Sequence, residues 1–342
     1  MFTKLSAFTA CLVLLALPAA AEARTFKPIG SDQFQLKKQG LGKGAYKKVR
    51  QLQKAYPKVG INGLMSDLNR NTGGLLSGDV PGGSFGYSWE DGDNDVSYWY
   101  PQGLTGQAGI QAVSWHYEDD RDVRIGFVGR DRRQYRFALL VDPAGGTSFN
   151  RVPIHAGGIA WAGKYMYVAD TNNGFRVFDT TRILRVPDNR LSGTGNYRYL
   201  LPQVGAYKTV GTGFIFSAAA LDRSNAGKPA LVAGEYRTEG TTRIARWQIN
   251  PKTNLIARGK ATQAYSTTFD QLQGVITHKG RIFVSSSQGP TGRLYFGKPR
   301  KKARNKKWGS TPQALFVSGG ALWSHTEPRE HRTVFAKRFG TL

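Results

Sequence analysis

Two stretches near the start of the chain place apolar residues at helical spacing, and nothing after them does. In GAYKKVRQLQKAY (residues 44–56), Tyr46, Val49, Leu52 and Tyr56 fall on one face. In INGLMSDLNR (61–70), Ile61, Leu64, Met65 and Leu68 sit at i, i+3, i+4 and i+7. Pro57 and Gly60 interrupt the two runs, so the pattern predicts a short helical hairpin with a basic outward face. From residue 73 onward the helical period disappears. Short apolar strands alternate with Gly, Asn and Pro breaks.

These strands repeat as a unit. HAGGIAWAGKYMYVADTNNGFRVFD (155–179) reads as a small-residue lead-in, a strand at 159–161, a Gly-Lys turn, a strand at 165–169, a Thr-Asn-Asn-Gly turn and a third strand ending at Asp179. LQGVITHKGRIFVSSSQGPTGRLYFG (272–297) keeps that order, and TPQALFVSGGALWSHTEPREHRTVFAKRF carries a degenerate copy with Gly319-Gly320 at its first turn. Two longer copies begin near YPQGLTGQ and FIFSAAALD. A unit of three or four antiparallel strands cannot bury both faces alone, and packing such units around an axis solves this. The expected fold is therefore all-β: a single β-propeller over 73–342, five blades favoured and six the alternative, preceded by a basic segment at 24–72 that carries the helical hairpin.

The segments YPQGL, HAGGI followed by YVADTNNGFRVFD, LPQVGAYK, VAGEYR with RWQINP, and LQGV resemble a family of secreted actinobacterial proteins. The resemblance spans roughly residues 84–339. It implies a β-propeller that is exported, and it leaves activity open. The basic segments described next depart from the family pattern.

Composition adds charge and location. The first 23 residues have a lysine, an apolar core and an Ala-Glu-Ala cleavage pattern, which predicts a signal peptide and a secreted, extracellular product. The apolar run is too short to span a bilayer, and no later segment is apolar enough. Cys11, the only cysteine, leaves with that peptide, so no disulfide or thiolate chemistry is expected. Against 23 acids stand 48 Lys and Arg, a formal charge of +25. The excess is local: residues 24–58 hold one acid, Asp32, and residues 271–326 hold none. Lys298, Arg300, Lys301, Lys302, Arg304, Lys306 and Lys307 crowd into one insert, a candidate polyanion-binding patch for an anionic cell-envelope polymer. Keeping the protein soluble explains the charge equally well. No motif for specific nucleic-acid recognition is found, and a monomer is expected.

The candidate chemistry is sparse. WEDGDNDVSYWYPQG (89–103) places Asp91, Asp93 and Asp95 at i, i+2 and i+4, the opening of a calcium loop. Val96 and Gln102 stand where that loop needs Gly and Glu, so calcium is the single cofactor to consider, and an acidic hairpin tip or a docking site for the basic N-terminal segment is the stronger reading. Residues leading into each blade line a propeller's central funnel; here they are Gln102, His155, Asp270, Gln273 and Gln313. Amides and an imidazole suit a neutral polar ligand such as a glycan, or they bond the neighbouring blades' backbone. Apart from Asp270 these positions lack the paired carboxylates of a hydrolase. The sequence thus favours a binding or scaffolding protein without catalytic residues. The alternative is a glycan hydrolase using Asp270 with Glu235 or the acids at 90–95. None of the five histidines pairs with another at metal-ligand spacing in the sequence, and His325, Glu327 and His331 read as loop decoration.

Overall fold

Successive antiparallel strands of the β region group in fours. The computed structural model describes residues 24–211 and 213–342, so the expected signal peptide lies outside the described residues. Blade 1 is Trp99–Gln107, Ile110–Tyr117, Val123–Val128 and Gln134–Gly145. Blade 2 is Ile159–Ala162, Tyr165–Asp170, Gly174–Asp179 and Tyr199–Val210. Blade 3 is Ala218–Asp222, Ala230–Gly234, Thr242–Gln248 and Gln263–Thr267. Blade 4 is Leu272–His278, Arg281–Ser286, Arg293–Gly297 and Arg304–Lys307. Blade 5 has only Phe316–Ser318, Ala321–His325 and Thr333–Arg338 from its own stretch of chain. Its fourth strand, Phe85–Ser88, comes from before blade 1 and pairs with Thr333–Arg338. That pairing closes the ring of a β-propeller.

The leading strands of neighbouring blades lie against one another at the centre. Their approach is too close for a side chain at some positions. A Cβ on Gly158 would lie 1.9 Å from the amide nitrogen of Ala219, and one on Gly274 would lie 2.8 Å from the backbone of Ala314. The glycines of HAGG and LQG are therefore packing requirements between blades. Farther out, apolar side chains fill the wedges. Ile125, Phe127, Trp161, Met166 and Phe178 form one cluster of blades 1 and 2, each contributing about 1.5–3 kcal/mol on burial.

The segment before blade 1 is a belt. Thr25 bridges to Lys302 at the rim of blade 4, Lys27–Ile29 adds a fifth strand to blade 3, and Gln35–Gly40 pairs with the last strand of blade 2. The expected helices follow, α1 (Lys43–Leu52) and α2 (Gly60–Met65). Val49 and Leu52 of α1 are buried, and Leu64 of α2 joins the cluster of blades 1 and 2. Arg70–Asn71 then pairs with blade 1 and Phe85–Ser88 completes blade 5. In chain order the belt visits blades 4, 3, 2, 1 and 5 and covers outer edges that would otherwise present unpaired backbone groups.

Between the closing strand and blade 1 lies the acidic run, folded as the short helix α3 (Asp91–Asn94). The Asp93 carboxylate is buried and accepts from three directions: Arg124 Nη2 at 3.1 Å, Arg70 Nε at 2.9 Å and the Tyr135 hydroxyl at 2.6 Å. Its backbone carbonyl accepts from Arg332 Nη1 at 2.9 Å, and Asp95 pairs with Arg329 at 2.6 Å. Asn94 accepts from the Arg332 amide and donates to the Glu330 carbonyl. The run thus ties blade 1, the belt and the last loop of blade 5 together. A cation bound at Asp91, Asp93 and Asp95 would meet the guanidinium groups of Arg70, Arg124 and Arg329.

Removing one partner of a buried ion pair leaves the other charged and unsolvated. Asp93→Ala is therefore expected to lose about 3–5 kcal/mol of unfolding free energy, whereas exposed Asp91→Ala should stay within about 0.5 kcal/mol of wild type. Equal urea midpoints for the two variants would show that the clasp does not hold the ring.

Candidate functional site

The start of each blade's first strand and the end of its second lie on the same face of the ring. In three blades the second strand pins the backbone of the next blade there. Ser114 Oγ of blade 1 donates to the Ala156 carbonyl at 2.9 Å, and Ser285 Oγ of blade 4 donates to the Gln313 carbonyl at 2.6 Å. His325 of blade 5 occupies the corresponding place, with Nε2 2.8 Å from the Gln102 carbonyl. Complete burial pushes the His325 pKa down to about 4, so the ring is neutral at pH 7 and Nε2–H is the donor. His325 is a blade-to-blade bond and not loop decoration.

Gln102 and Gln313 are buried, and their amides converge on one carboxyl group. Gln102 Nε2 lies 3.2 Å from Glu327 Oε1, and Gln313 Nε2 lies 2.6 Å from Glu327 Oε2. Glu327 is half-buried in the loop between the second and third strands of blade 5. Burial pushes its pKa up to about 7, against the opposing pull of Arg332 and of the Gln102 hydrogen bond. Arg332 is itself fully buried. It donates from Nε to the Glu327 carbonyl and lies against the Tyr100 and Trp115 rings, at 5.6 and 5.4 Å from their centroids. Burial lowers its pKa to about 10, which leaves it a cation. The group Gln102–Gln313–Glu327–Arg332 can accept from, or donate to, a ligand hydroxyl, and its acid can exchange a proton near neutrality.

The other predicted funnel residues are placed separately. His155 is half-exposed, with Nδ1 3.1 Å from Asp120 Oδ1. The same oxygen lies 2.6 Å from Nδ1 of buried His116, and the two imidazole centroids are 4.0 Å apart. This trio of His116, Asp120 and His155 offers three ligand atoms within 4.8 Å of one another. Asp270 and Gln273 belong to blade 4. The Asp270 carbonyl accepts from Ser286 Oγ at 2.6 Å, and the Gln273 amide contacts Ser287 Oγ at 3.4 Å.

Glu235, named for the hydrolase reading, is a locked carboxylate. It is fully buried, and burial alone would raise its pKa; two contacts from Arg243 at 2.8 and 2.6 Å and one from Arg237 at 3.2 Å outweigh that and lower it. Such a group cannot hold a proton for a leaving group at neutral pH. Asp93 is likewise committed to its arginines and tyrosine. Between α3, blade 1 and the loop at 195–198 a cavity of about 530 Å³ is lined by aromatic Tyr98, Trp99 and Tyr197 and, among its arginines, by Arg136, Arg151 and Arg198. These three pair with Asp67, Asp122 and Asp188 respectively.

The basic insert is half turn and half strand. Arg304–Lys307 forms the outer strand of blade 4, while Lys298, Arg300, Lys301 and Lys302 sit in the exposed turn before it. Lys306 is half-buried and donates to the Thr341 carbonyl. The sequence reading set Glu327 aside as loop decoration and missed His116 and Asp120 as site residues. The only local signals were the Gln spacing in PQG and PQA and the acids following His116, and neither states which residues meet across blades.

No protein-family model matches the chain, and no curated protein matches it in sequence. Among solved structures it is similar to a glutaminyl cyclase from Myxococcus xanthus, at 10% identity over 71% of this chain and 92% of that one, with a TM-score of 0.41. A thermostable family-43 glycoside hydrolase gives 13% identity, 71% and 90% coverage and a TM-score of 0.40. A gluconolactonase from Xanthomonas campestris gives 12%, 83%, 89% and 0.36.

The Glu327 pKa sets a stability difference with a defined sign. A carboxyl raised from 4.5 to about 7 favours the folded state in its protonated form. That contribution is complete below about pH 4.5 and is lost as pH rises through about 7. His325 works the other way: its contribution is present above 6.5 and is lost as pH falls toward 4. It is common to both proteins in a comparison of wild type with Glu327→Gln. The melting temperature of the variant relative to wild type should therefore climb between about pH 4.5 and 7.5. A pH-independent difference would contradict the assignment.

Proposed function

We propose that this chain is a secreted β-propeller binding protein that holds a neutral polar ligand, of the glycan class, at the face presenting Glu327. The convergence of Gln102 and Gln313, from the two blades that flank the ring closure, on the single carboxyl of Glu327 carries this reading. The amides fix the carboxyl orientation, and the buried Arg332 fixes the loop, so the group meets a ligand without reorganising. His155 and Gln273 would add contacts from blades 2 and 4. Export would follow from the signal peptide expected over residues 1–23. The exposed cations at 298–307 would hold the protein to anionic envelope polymers.

One observation favours a second reading, a glycan hydrolase. A carboxyl with a pKa of about 7 is suited to general-acid work. A glycan array read with wild type and Glu327→Ala, alongside a reducing-end assay, separates the two. Binding that falls at least tenfold in the variant while the glycan stays intact supports the binding protein. Release of reducing ends, slowed about 10²–10⁴-fold by Glu327→Gln, supports the hydrolase. Array binding unchanged by Glu327→Ala would overturn both.

The basic turn and strand make a separate prediction. Replacing Lys301, Lys302, Lys306 and Lys307 with Gln should lower the salt at which the protein leaves a heparin column and flatten the salt dependence, because contacts to a polyanion weaken as screening rises. The melting temperature should move by no more than about 2 °C. Elution at the wild-type salt concentration would reduce the patch to a solubility feature.

A further inference from the structure

We infer that His116, Asp120 and His155 form a binding site for a divalent transition-metal ion. The three come from different parts of the ring face. His116 ends the second strand of blade 1, Asp120 lies in the turn that follows, and His155 stands just ahead of blade 2. The turn is held in place by its own backbone: Asp120 has a φ of 59° and its amide donates to the Tyr117 carbonyl at 2.8 Å. The His116 ring lies beside Tyr100, with centroids 5.6 Å apart, and is almost fully buried. Two of the ligands are therefore fixed before any ion arrives.

The donor atoms converge as they do around a metal. Asp120 Oδ1 lies 2.6 Å from His116 Nδ1 and 3.1 Å from His155 Nδ1. Ligands on a tetrahedral ion with bonds of ~2.0–2.1 Å stand roughly 3.3–3.4 Å apart, so Asp120 Oδ1 would move slightly away from both imidazoles. The short approach to His116 is not a well-directed hydrogen bond, and His116 Nδ1 remains a buried polar atom without one. Two nitrogens and one carboxylate oxygen match zinc, cobalt or nickel and not calcium, which takes six to eight oxygens. At least one coordination position stays open toward solvent on the side of half-exposed His155. In the acidic turn Asp119 is paired with Arg121 and Asp122 with Arg151, so Asp120 is the carboxylate that would meet the ion.

The site shares His155 with the proposed ligand face but no residue with the Glu327 group, so Glu327→Gln separates the two readings. The test uses tag-free protein stripped with a chelator and titrated with Co²⁺, followed by displacement with Zn²⁺. One equivalent of Co²⁺ should bind and develop visible d–d absorption that Zn²⁺ abolishes. His155→Ala, at a half-exposed position, and Asp120→Asn should each weaken binding at least tenfold while the far-UV spectrum is retained. Glu327→Gln should bind as wild type does. Failure of the stripped wild-type protein to bind a stoichiometric equivalent, or wild-type affinity in His155→Ala, would overturn the site.

Discussion

The ring is held shut at one seam. Four of the blades take all four strands from a single stretch of chain and need no distant segment to form a sheet. Blade 5 lacks its outer strand until Phe85–Ser88 arrives from the other end of the propeller. A β-sheet edge is only as specific as the register that pins it, and here the pin is electrostatic as well as hydrogen-bonded. Asp93, placed a few residues past the closing strand, gathers Arg124, Arg70 and Tyr135, while Arg332 reaches its backbone from blade 5. A buried carboxylate costs several kcal/mol to desolvate unless such partners surround it. The acids that look anomalous in a basic sequence are therefore concentrated where the protein must bring its two ends together.

The same seam positions the candidate ligand face. Arg332 touches both the acidic helix and Glu327, and Gln102 and Gln313 reach Glu327 from either side of the junction. Glu235 and Glu327 show how surroundings decide the state of a carboxyl. Both are largely removed from water. Glu235 receives three guanidinium contacts and stays ionised, whereas Glu327 receives two neutral amides and a more distant cation, and its proton is retained to near neutrality. The first is a structural anchor; the second is a group able to respond to a ligand.

Much of the architecture was legible because glycine turns and alternating apolar runs are local signals. The strands at 159–179 match the expected positions to within a residue, those at 272–297 keep the expected order, and the helical faces of Val49, Leu52 and Leu64 are buried as the spacing requires. The belt strands were not legible. QLKKQG at 35–40 has one buried residue, Leu36, because an outermost strand faces solvent along most of its length. The site was legible only in part. Gln102 and Gln313 could be found from their place before each blade, but Glu327 lies 225 residues from one and 14 from the other. His116 and His155 meet because blades 1 and 2 are neighbours, and no sequence spacing encodes that. Contacts across blades follow from closure of the ring, which a linear pattern does not contain.

The belt gives the chain an order of events. Arg24 hydrogen-bonds Tyr295, Thr25 bridges Lys302, and Phe85–Ser88 pairs with Thr333–Arg338. Each of these contacts joins segments far apart in the chain, 271 positions in the first case. Contacts of such sequence separation form slowly, since a long loop must close before they return any stabilisation. A nascent chain can shape blades 1 to 4 as they emerge, but it cannot complete the circle until nearly every residue is available. The circle is complete only when segments from both sides of blades 1 to 4 meet.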